Sequence, residues 1–415
     1  MRLLLFYGWL VLGSAFIVFA VVTIGVNGLP LLNVSLKETF GWTHEQTTRG
    51  PSMLYFIVAL VSPFAGALVD KFGPRFMMSL GSFLTVIALL LYPLITNAWH
   101  LVGIYIICAI SITCGGAIAG VTLLSQWFNR WRGVAVGIYL VGSSLGGIIF
   151  PQLIAKLNQQ IGWQFTALVL AIVAAVASVV PLWFIRNLPS EKNTFPDGVA
   201  QPNTNQQAVG NQDYGLSLGD ALATPRFYLL LYITAAVFFC ITGVVQNFAL
   251  FMRDVGLSED QIANALSLFF AFSIAGKVFF GWLSDKFSKK SILIAAVVNM
   301  TVGSLLMQLI PANNQIFTPL FVGVYGLGYS GAFTMVQLTV AEYYAGKNFG
   351  KILGIVTTMD TLAGSAGIYL LGFLRTLQGS YQVGTYILLG VSLSAVISAI
   401  FLQRPARTLP SKLSP

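Results

Sequence analysis

The chain has 415 residues, 56% of them hydrophobic and only 8% charged, with a net charge of +9. Soluble domains carry about a quarter charged residues, and here stretches long enough to cross a bilayer hold no formal charge. This excludes a soluble enzyme, a soluble nucleic-acid binder and a disordered scaffold, and leaves a polytopic membrane protein.

Twelve apolar segments of spanning length are expected, in an all-α fold. The first, 7–30, opens on Tyr7-Gly8-Trp9 and carries Thr23 and Asn27. It outlasts the apolar region of a signal peptide and lacks a cleavage site, so no cleaved leader is expected. The outer loop that follows contains the sequon Asn33-Val-Ser35, a triplet common by chance, and then Phe40-Gly41-Trp42-Thr43. Spans 2 to 6 cover 50–69 (with Tyr55), 76–96, 100–127, 133–157 (with Tyr139) and 164–186. The stretch 187–225, rich in Asn, Gln, Pro and Asp, reads as a flexible linker. Spans 7 to 12 cover 226–252 (Gln246, Asn247), 261–284 (Lys277), 291–311, 316–342 (Tyr325, Tyr329), 350–375 (Thr357, Thr358, Asp360) and 382–403. The expected units are therefore a six-helix bundle over 1–186, a linker over 187–225 and a second six-helix bundle over 226–415.

Orientation follows from the basic residues. With both termini, the linker and the even-numbered loops on one side, five cations (Lys37, Arg49, Lys156, Arg253, Arg375) fall on the other side and Lys277 falls within a span. The rest of the 22, including Arg2, Lys347, Arg404, Arg407 and Lys412, share the linker's side. The positive-inside rule makes that side cytoplasmic. Topology accounts for the basic charge without a nucleic-acid partner. Cys108, Cys114 and Cys240 lie inside spans and read as small core residues, and His44 and His100 form no metal pattern. No metal or cofactor is expected.

The two halves echo each other. Gly66-Ala-Leu-Val-Asp70-Lys71-Phe-Gly73-Pro-Arg75 after span 2 matches Gly281-Trp-Leu-Ser-Asp285-Lys286-Phe-Ser-Lys289-Lys290 after span 8, at an offset of 215. Arg132-Gly133-Val-Ala-Val-Gly137 opening span 5 matches Phe349-Gly350-Lys351-Ile-Leu-Gly354 opening span 11, at an offset of 217. Parallel six-helix repeats are a recurring plan of secondary transporters, with the substrate site near the midplane between the halves. The glycines permit close helix packing. The aspartates can cap a neighbouring helix and pair with adjacent cations in one closed state. The duplicated run resembles the loop signature of the major facilitator superfamily, which makes Asp70, Lys71, Arg75, Arg132, Asp285 and Lys286 the expected conformational-switch residues. Tyr7-Gly8-Trp9, Phe40-Gly41-Trp42-Thr43, and Trp127-Phe128 through Arg132-Gly133 to Gly142-Ser-Ser-Leu-Gly146-Gly147 are similar to the bacterial monocarboxylate-transporter and oxalate/formate-antiporter branch.

Two charges sit deep in spans, where each costs about 2.5–3.5 kcal/mol on insertion scales. Lys277 is eight residues before Asp285 and Asp360 ten after Gly350, about 12 and 15 Å of helix inward. They could pair directly or face each other across the cavity, and a permanent interhelical salt bridge is the structural alternative. In the branch this chain resembles, an arginine of span 8 holds the substrate carboxylate. Lys277 occupies its place, keeping the charge but losing the bidentate fork. The second cation of the oxalate/formate members matches Val356, which argues against oxalate and for a single carboxylate. Lys277 is thus the expected anion ligand and Asp360 the expected proton carrier. Asn27, Tyr139, Gln246, Asn247 and Tyr329 are further candidate substrate contacts, although each alone reads first as helix packing, as do Phe238, Phe239, Phe269, Phe270 and Phe333. Gly326-Leu-Gly328-Tyr-Ser-Gly331 formally matches a nucleotide-loop pattern but lies inside a span, where small residues serve helix approach.

The expectation is a non-enzymatic monomeric transporter of the bacterial inner membrane. It would move a small organic anion, a monocarboxylate first of all, by alternating access with proton coupling or counter-anion exchange. Proton-driven efflux of an amphipathic or cationic compound, with Asp360 as its ligand, and a non-transporting membrane sensor are the alternatives.

Overall fold

The computed structural model describes residues 6–42, 44–199, 218–311, 313–346 and 348–403. Arg2, Thr43, Lys347, Arg404, Arg407 and Lys412, together with linker residues 200–217, lie outside them. The described residues are overwhelmingly helical. In chain order the helices are α1 (Tyr7–Val22), α2 (Ile24–Asn27), α3 (Leu29–Phe40), α4 (His44–Phe72), α5 (Pro74–Leu91), α6 (Ala98–Gly115), α7 (Ala117–Trp127), α8 (Arg132–Phe184), α9 (Leu218–Leu222), α10 (Pro225–Asp254), α11 (Glu259–Lys286), α12 (Lys289–Leu309), α13 (Asn314–Tyr344), α14 (Phe349–Gln378) and α15 (Gln382–Phe401).

Eleven helical stretches among the described residues are long and apolar enough to span a bilayer. One of them, α8, has 53 residues, about 80 Å at 1.5 Å per residue and more than twice the hydrocarbon thickness. It turns at Gly162, where φ is 77° and ψ 166°, a conformation open to glycine and strained for other residues. Spans 5 and 6 are therefore two passes joined without a loop, and the expected twelve crossings are accounted for. The outward faces are apolar: Phe64, Trp183, Val176 and Tyr369 are each at least 66% exposed, a surface suited to lipid.

Three local expectations change. Span 1 runs on through α2 and α3 to Phe40. Asn33 of the sequon is therefore inside a helix and buried, donating to the Tyr105 hydroxyl at 2.8 Å and accepting from the Tyr92 hydroxyl at 2.8 Å. The apolar drive to continue the helix outweighed the polar residues that read as a loop. The first part of the linker is also not a free tether. Two short 3₁₀ turns, Pro189–Lys192 and Pro196–Gly198, lie against the first half. There the Trp127 indole donates to the Arg186 carbonyl at 2.8 Å and the Lys192 ammonium lies over the Tyr7 ring at 4.9 Å. Asp197 is the tightest of these contacts. Its carboxylate accepts the backbone N–H groups of Asn129 (3.0 Å), Arg130 (2.7 Å) and Trp131 (3.4 Å) just before α8 begins.

The halves meet along two principal seams, α4 on α14 and α8 on α11. Within the second half, α11 packs on α13 and α14 on α10. The end of the bundle that carries the linker is called the linker end below, and the opposite one the far end.

Candidate functional site

Both seams close at the linker end in the same way. At the first, the Asp70 carboxylate accepts the N–H groups of Gly350 (2.7 Å) and Lys351 (2.9 Å) at the start of α14. At the second, Asp285 accepts those of Gly133 (2.6 Å) and Val134 (2.9 Å) at the start of α8. The first turn of a helix has N–H groups without intrahelical partners and a positive dipole end, so a carboxylate held there makes two charge-assisted bonds. Backbone contact makes these bonds possible. A Cβ on Gly66 would run into the Gly350 carbonyl and one on Gly350 into that of Gly66; Gly133 and Gly281 stand in the same relation.

The capping role expected of the two aspartates is therefore present, each reaching across to the other half. The expected pairing with adjacent cations is not. Lys71 lies over the Phe72 ring (5.1 Å) and Lys286 over Trp282 (3.9 Å). Arg75 donates to the Leu182 carbonyl. Arg132 donates to the carbonyls of Phe128 (3.2 Å) and Ser125 (3.3 Å). These cations lie on aromatic faces and carbonyls and make no direct ion pair with either aspartate, while the charges of Arg132 and Lys289 act on Asp285, and that of Lys351 on Asp70, through the field alone.

Lys277 lies deeper along the α8–α11 seam and is 4% exposed. Its ammonium crosses to the first half, donating to the Leu140 carbonyl (2.9 Å), the Ser144 hydroxyl (2.6 Å) and the Ser143 hydroxyl (3.3 Å). The Phe333 ring centroid is 5.5 Å from Nζ. Three N–H donors thus meet three neutral oxygens. The approach depends on Gly137, where a Cβ would come within 2.5 Å of the Lys277 carbonyl.

Asp360 is 2% exposed, and neither of its oxygens has a hydrogen-bond partner. It lies beside Thr234 of α10, whose hydroxyl donates to the Leu231 carbonyl at 3.1 Å. Lys277 and Asp360 therefore form no salt bridge: the cation is held at the α8 seam, while the acid stands bare next to α10.

The other candidates are dispersed. Asn27 joins the Lys277 cluster, donating to the Ser143 carbonyl at 3.3 Å. Gln246 reaches across the halves to the Tyr55 hydroxyl at 3.0 Å. Tyr139 is fully buried and donates to the Gly116 carbonyl (2.9 Å) at the break between α6 and α7. Asn247 donates to the Gly243 carbonyl (2.9 Å) and accepts from the Tyr381 hydroxyl (3.0 Å). Tyr329 donates to Ser273 (2.7 Å) and stacks on Phe269 with centroids 5.0 Å apart. In this conformation Tyr139, Asn247 and Tyr329 spend their polar groups on neighbouring helices, as do Tyr325 on the Cys240 carbonyl (2.9 Å) and Thr358 on that of Ala59 (2.9 Å). Sequence reasoning missed Ser143, Ser144 and the Leu140 carbonyl as partners of Lys277. The adjacent serines inside a glycine-rich span were the available signal.

Comparison with known proteins agrees with this architecture. The family model described as Major Facilitator Superfamily matches residues 12–258 and again 232–414. An MFS-type transporter of Bacillus subtilis, YcxA, is 23% identical over 383 residues, covering 90% of each chain. Monocarboxylate transporter 13 of Bos taurus is 26% identical over 423 residues, covering 98% of this chain and 93% of its own. Among solved structures, the proton:xylose symporter XylE bound to 6-bromo-6-deoxy-D-glucose superposes with a TM-score of 0.79 at 13% identity, covering 96% of both chains, a likeness of fold.

Proposed function

We propose that this chain, which belongs to the major facilitator superfamily and so to a family of membrane transporters, carries a small organic anion, a monocarboxylate first of all, by alternating access. The observation that carries this reading is Lys277. A buried ammonium costs several kcal/mol even after relaxation, and neutral acceptors solvate it without neutralising it. Here those acceptors come from the opposite half, and no carboxylate among the described residues pairs with it. A cation at the seam between two moving halves has one missing partner, an anion. The likeness to a monocarboxylate transporter supports the same class.

Asp360 completes the scheme. Ionised, a carboxylate this deep, with the Thr234 hydroxyl beside it, would be an uncompensated buried charge, which makes Asp360 the residue to carry the coupling proton. When the halves rock and the cavity between them opens to the other side, it gains access to water and can release its proton. Anion and proton then travel on separate residues of the second half. The rigid units of this motion are 1–186 and 226–415, joined by 187–225. The linker end, where the positive-inside rule puts the cytoplasm, is the closed end here, in the inner membrane of a bacterium and in a protein working as a monomer.

The test is uptake of labelled acetate, lactate, pyruvate and butyrate into proteoliposomes with and without an inward proton gradient. Gradient-driven accumulation is expected, lost in Asp360→Asn while anion exchange survives. Efflux of a cationic compound keeps one observation in its favour, an acidic residue buried in a span at Asp360. Uptake of no acid in either mode, with Asp360→Asn abolishing export of a lipophilic cation, would replace the anion reading with that one.

A further inference from the structure

We propose that Ser143 and Ser144 of α8 are part of the substrate site, giving their hydroxyl donors to the carboxylate that Lys277 attracts; the inference rests on the anion reading above and supplies its contact from the first half. The hydrogen-bond inventory leads there. The Leu140 carbonyl accepts from Lys277 (2.9 Å) and from the Ser143 hydroxyl (2.9 Å), in addition to the helical N–H of Ser144, so it is already crowded with donors. Ser144 stands one turn after Leu140, where a serine would ordinarily donate to that carbonyl. With the carbonyl occupied, nothing among the described residues accepts the Ser144 proton, while its oxygen accepts from Lys277 at 2.6 Å. Ser144 is 5% exposed. A buried hydroxyl proton without an acceptor, 2.6 Å from an ammonium, fits a negatively charged acceptor brought from outside the protein.

A carboxylate has two oxygens to place. One can take an N–H of Lys277 and the other the O–H of Ser144, with Ser143 free to turn from Leu140 and add a third donor. The Asn27 amide fixes this turn of α8 from α2. Phe333, 5.5 Å from Nζ, and Phe238, whose ring is 5.5 Å from that of Phe333, offer aromatic faces to the body behind the carboxylate. The site therefore favours short monocarboxylates with an apolar end. The bound anion would bridge α8 and α11 in place of the direct lysine–serine bonds, so loading exchanges one link between the halves for another.

The test compares wild type, Ser144→Thr, Ser144→Val, Ser143→Ala and Lys277→Ala in proteoliposomes. KM and maximal rate are measured for labelled acetate, lactate, pyruvate and butyrate, with the matching primary amides as competitors. Thr and Val are nearly isosteric and differ in the hydroxyl, which separates loss of a donor from loss of fold. Ser144→Val should raise KM for the acids tenfold or more with little change in maximal rate, and Ser144→Thr should restore it. Ser143→Ala, whose proton already has an acceptor, should raise KM less. Equal KM values for the Thr and Val variants, or a change confined to maximal rate, would overturn the serine assignment while loss of uptake in Lys277→Ala left the anion reading standing. Transport of no acid by wild type, or unimpaired transport by Lys277→Ala, would overturn both.

Discussion

The α4–α14 and α8–α11 seams are built to one plan and differ in one respect. Each closes with a glycine pair in backbone contact and an aspartate that takes two N–H groups of the facing helix. One turn deeper the plan still holds: Gly354 meets the Ser62 carbonyl as Gly137 meets that of Lys277. The side chains there have diverged. At the first seam Ser62 bonds back to the Val58 carbonyl of its own helix at 2.6 Å. At the second, the residue at the same offset is Lys277, which leaves its helix and binds the other half. The pattern repeats on the facing helices, where the 217-residue offset that relates Gly137 to Gly354 carries Ser143 onto Asp360. The α8–α11 seam therefore pairs a cation with a serine across the halves, whereas the acid that matches that serine lies beside α10 of its own half. Closure depends on what the repeats share, and chemistry resides where they part.

The largest expected break in this comparison is at the divergent position. Lys277→Ala should reduce carboxylate uptake at least a hundredfold, while Ser62→Ala, at the same place in the other seam, should change it less than twofold, read as kcat/KM in proteoliposomes. Next come the shared glycines. Gly133→Val and Gly350→Val both put a Cβ against a carbonyl of the facing helix, and overpacking of this kind costs about 1–3 kcal/mol. Both should hold the linker end open to a similar degree, measured as alkylation of a cysteine introduced in that interface. Asp70→Asn and Asp285→Asn should weaken closure further down the scale, since each keeps an acceptor but loses the charge that makes its bonds worth about 1.5–3 kcal/mol rather than the usual 1. The same alkylation assay should rank them below the valine variants.

The smallest effect is expected at Asp197, which has no counterpart among the described residues of the second half. It organises the three residues before α8 without reaching the second half. Its removal should resemble loss of a helix cap, about 1 kcal/mol, visible as a modest loss of thermal stability with transport retained.

The parts of this account that were legible in the sequence are those encoded locally. The spans, the duplicated Asp70 and Asp285 runs and the two intramembrane charges are patterns of neighbouring residues, and the resemblance they carry led to the correct fold. The partners of Lys277 were not legible, because Leu140, Ser143 and Ser144 are 133 to 137 residues away and one of them contributes a backbone carbonyl. Tyr139 illustrates the opposite limit. A tyrosine in a cavity-type span read as a candidate ligand, yet its hydroxyl donates to the carbonyl of Gly116, the residue at the break between α6 and α7, an irregularity invisible in composition. Asn33 failed for a related reason, since two tyrosines from α6 and the turn after α5 supply the partners that make its burial affordable.

The central claim is that the divergent lysine, and not the shared framework, receives the substrate. Entrance counterflow tests it most directly: proteoliposomes are loaded with unlabelled lactate and the influx of labelled lactate is followed for wild type, Lys277→Ala and Ser62→Ala, with no gradient imposed. Rapid influx in wild type and Ser62→Ala and none in Lys277→Ala is the predicted result. Influx through Lys277→Ala at the wild-type rate would contradict it, and would leave that ammonium as a tether between the halves.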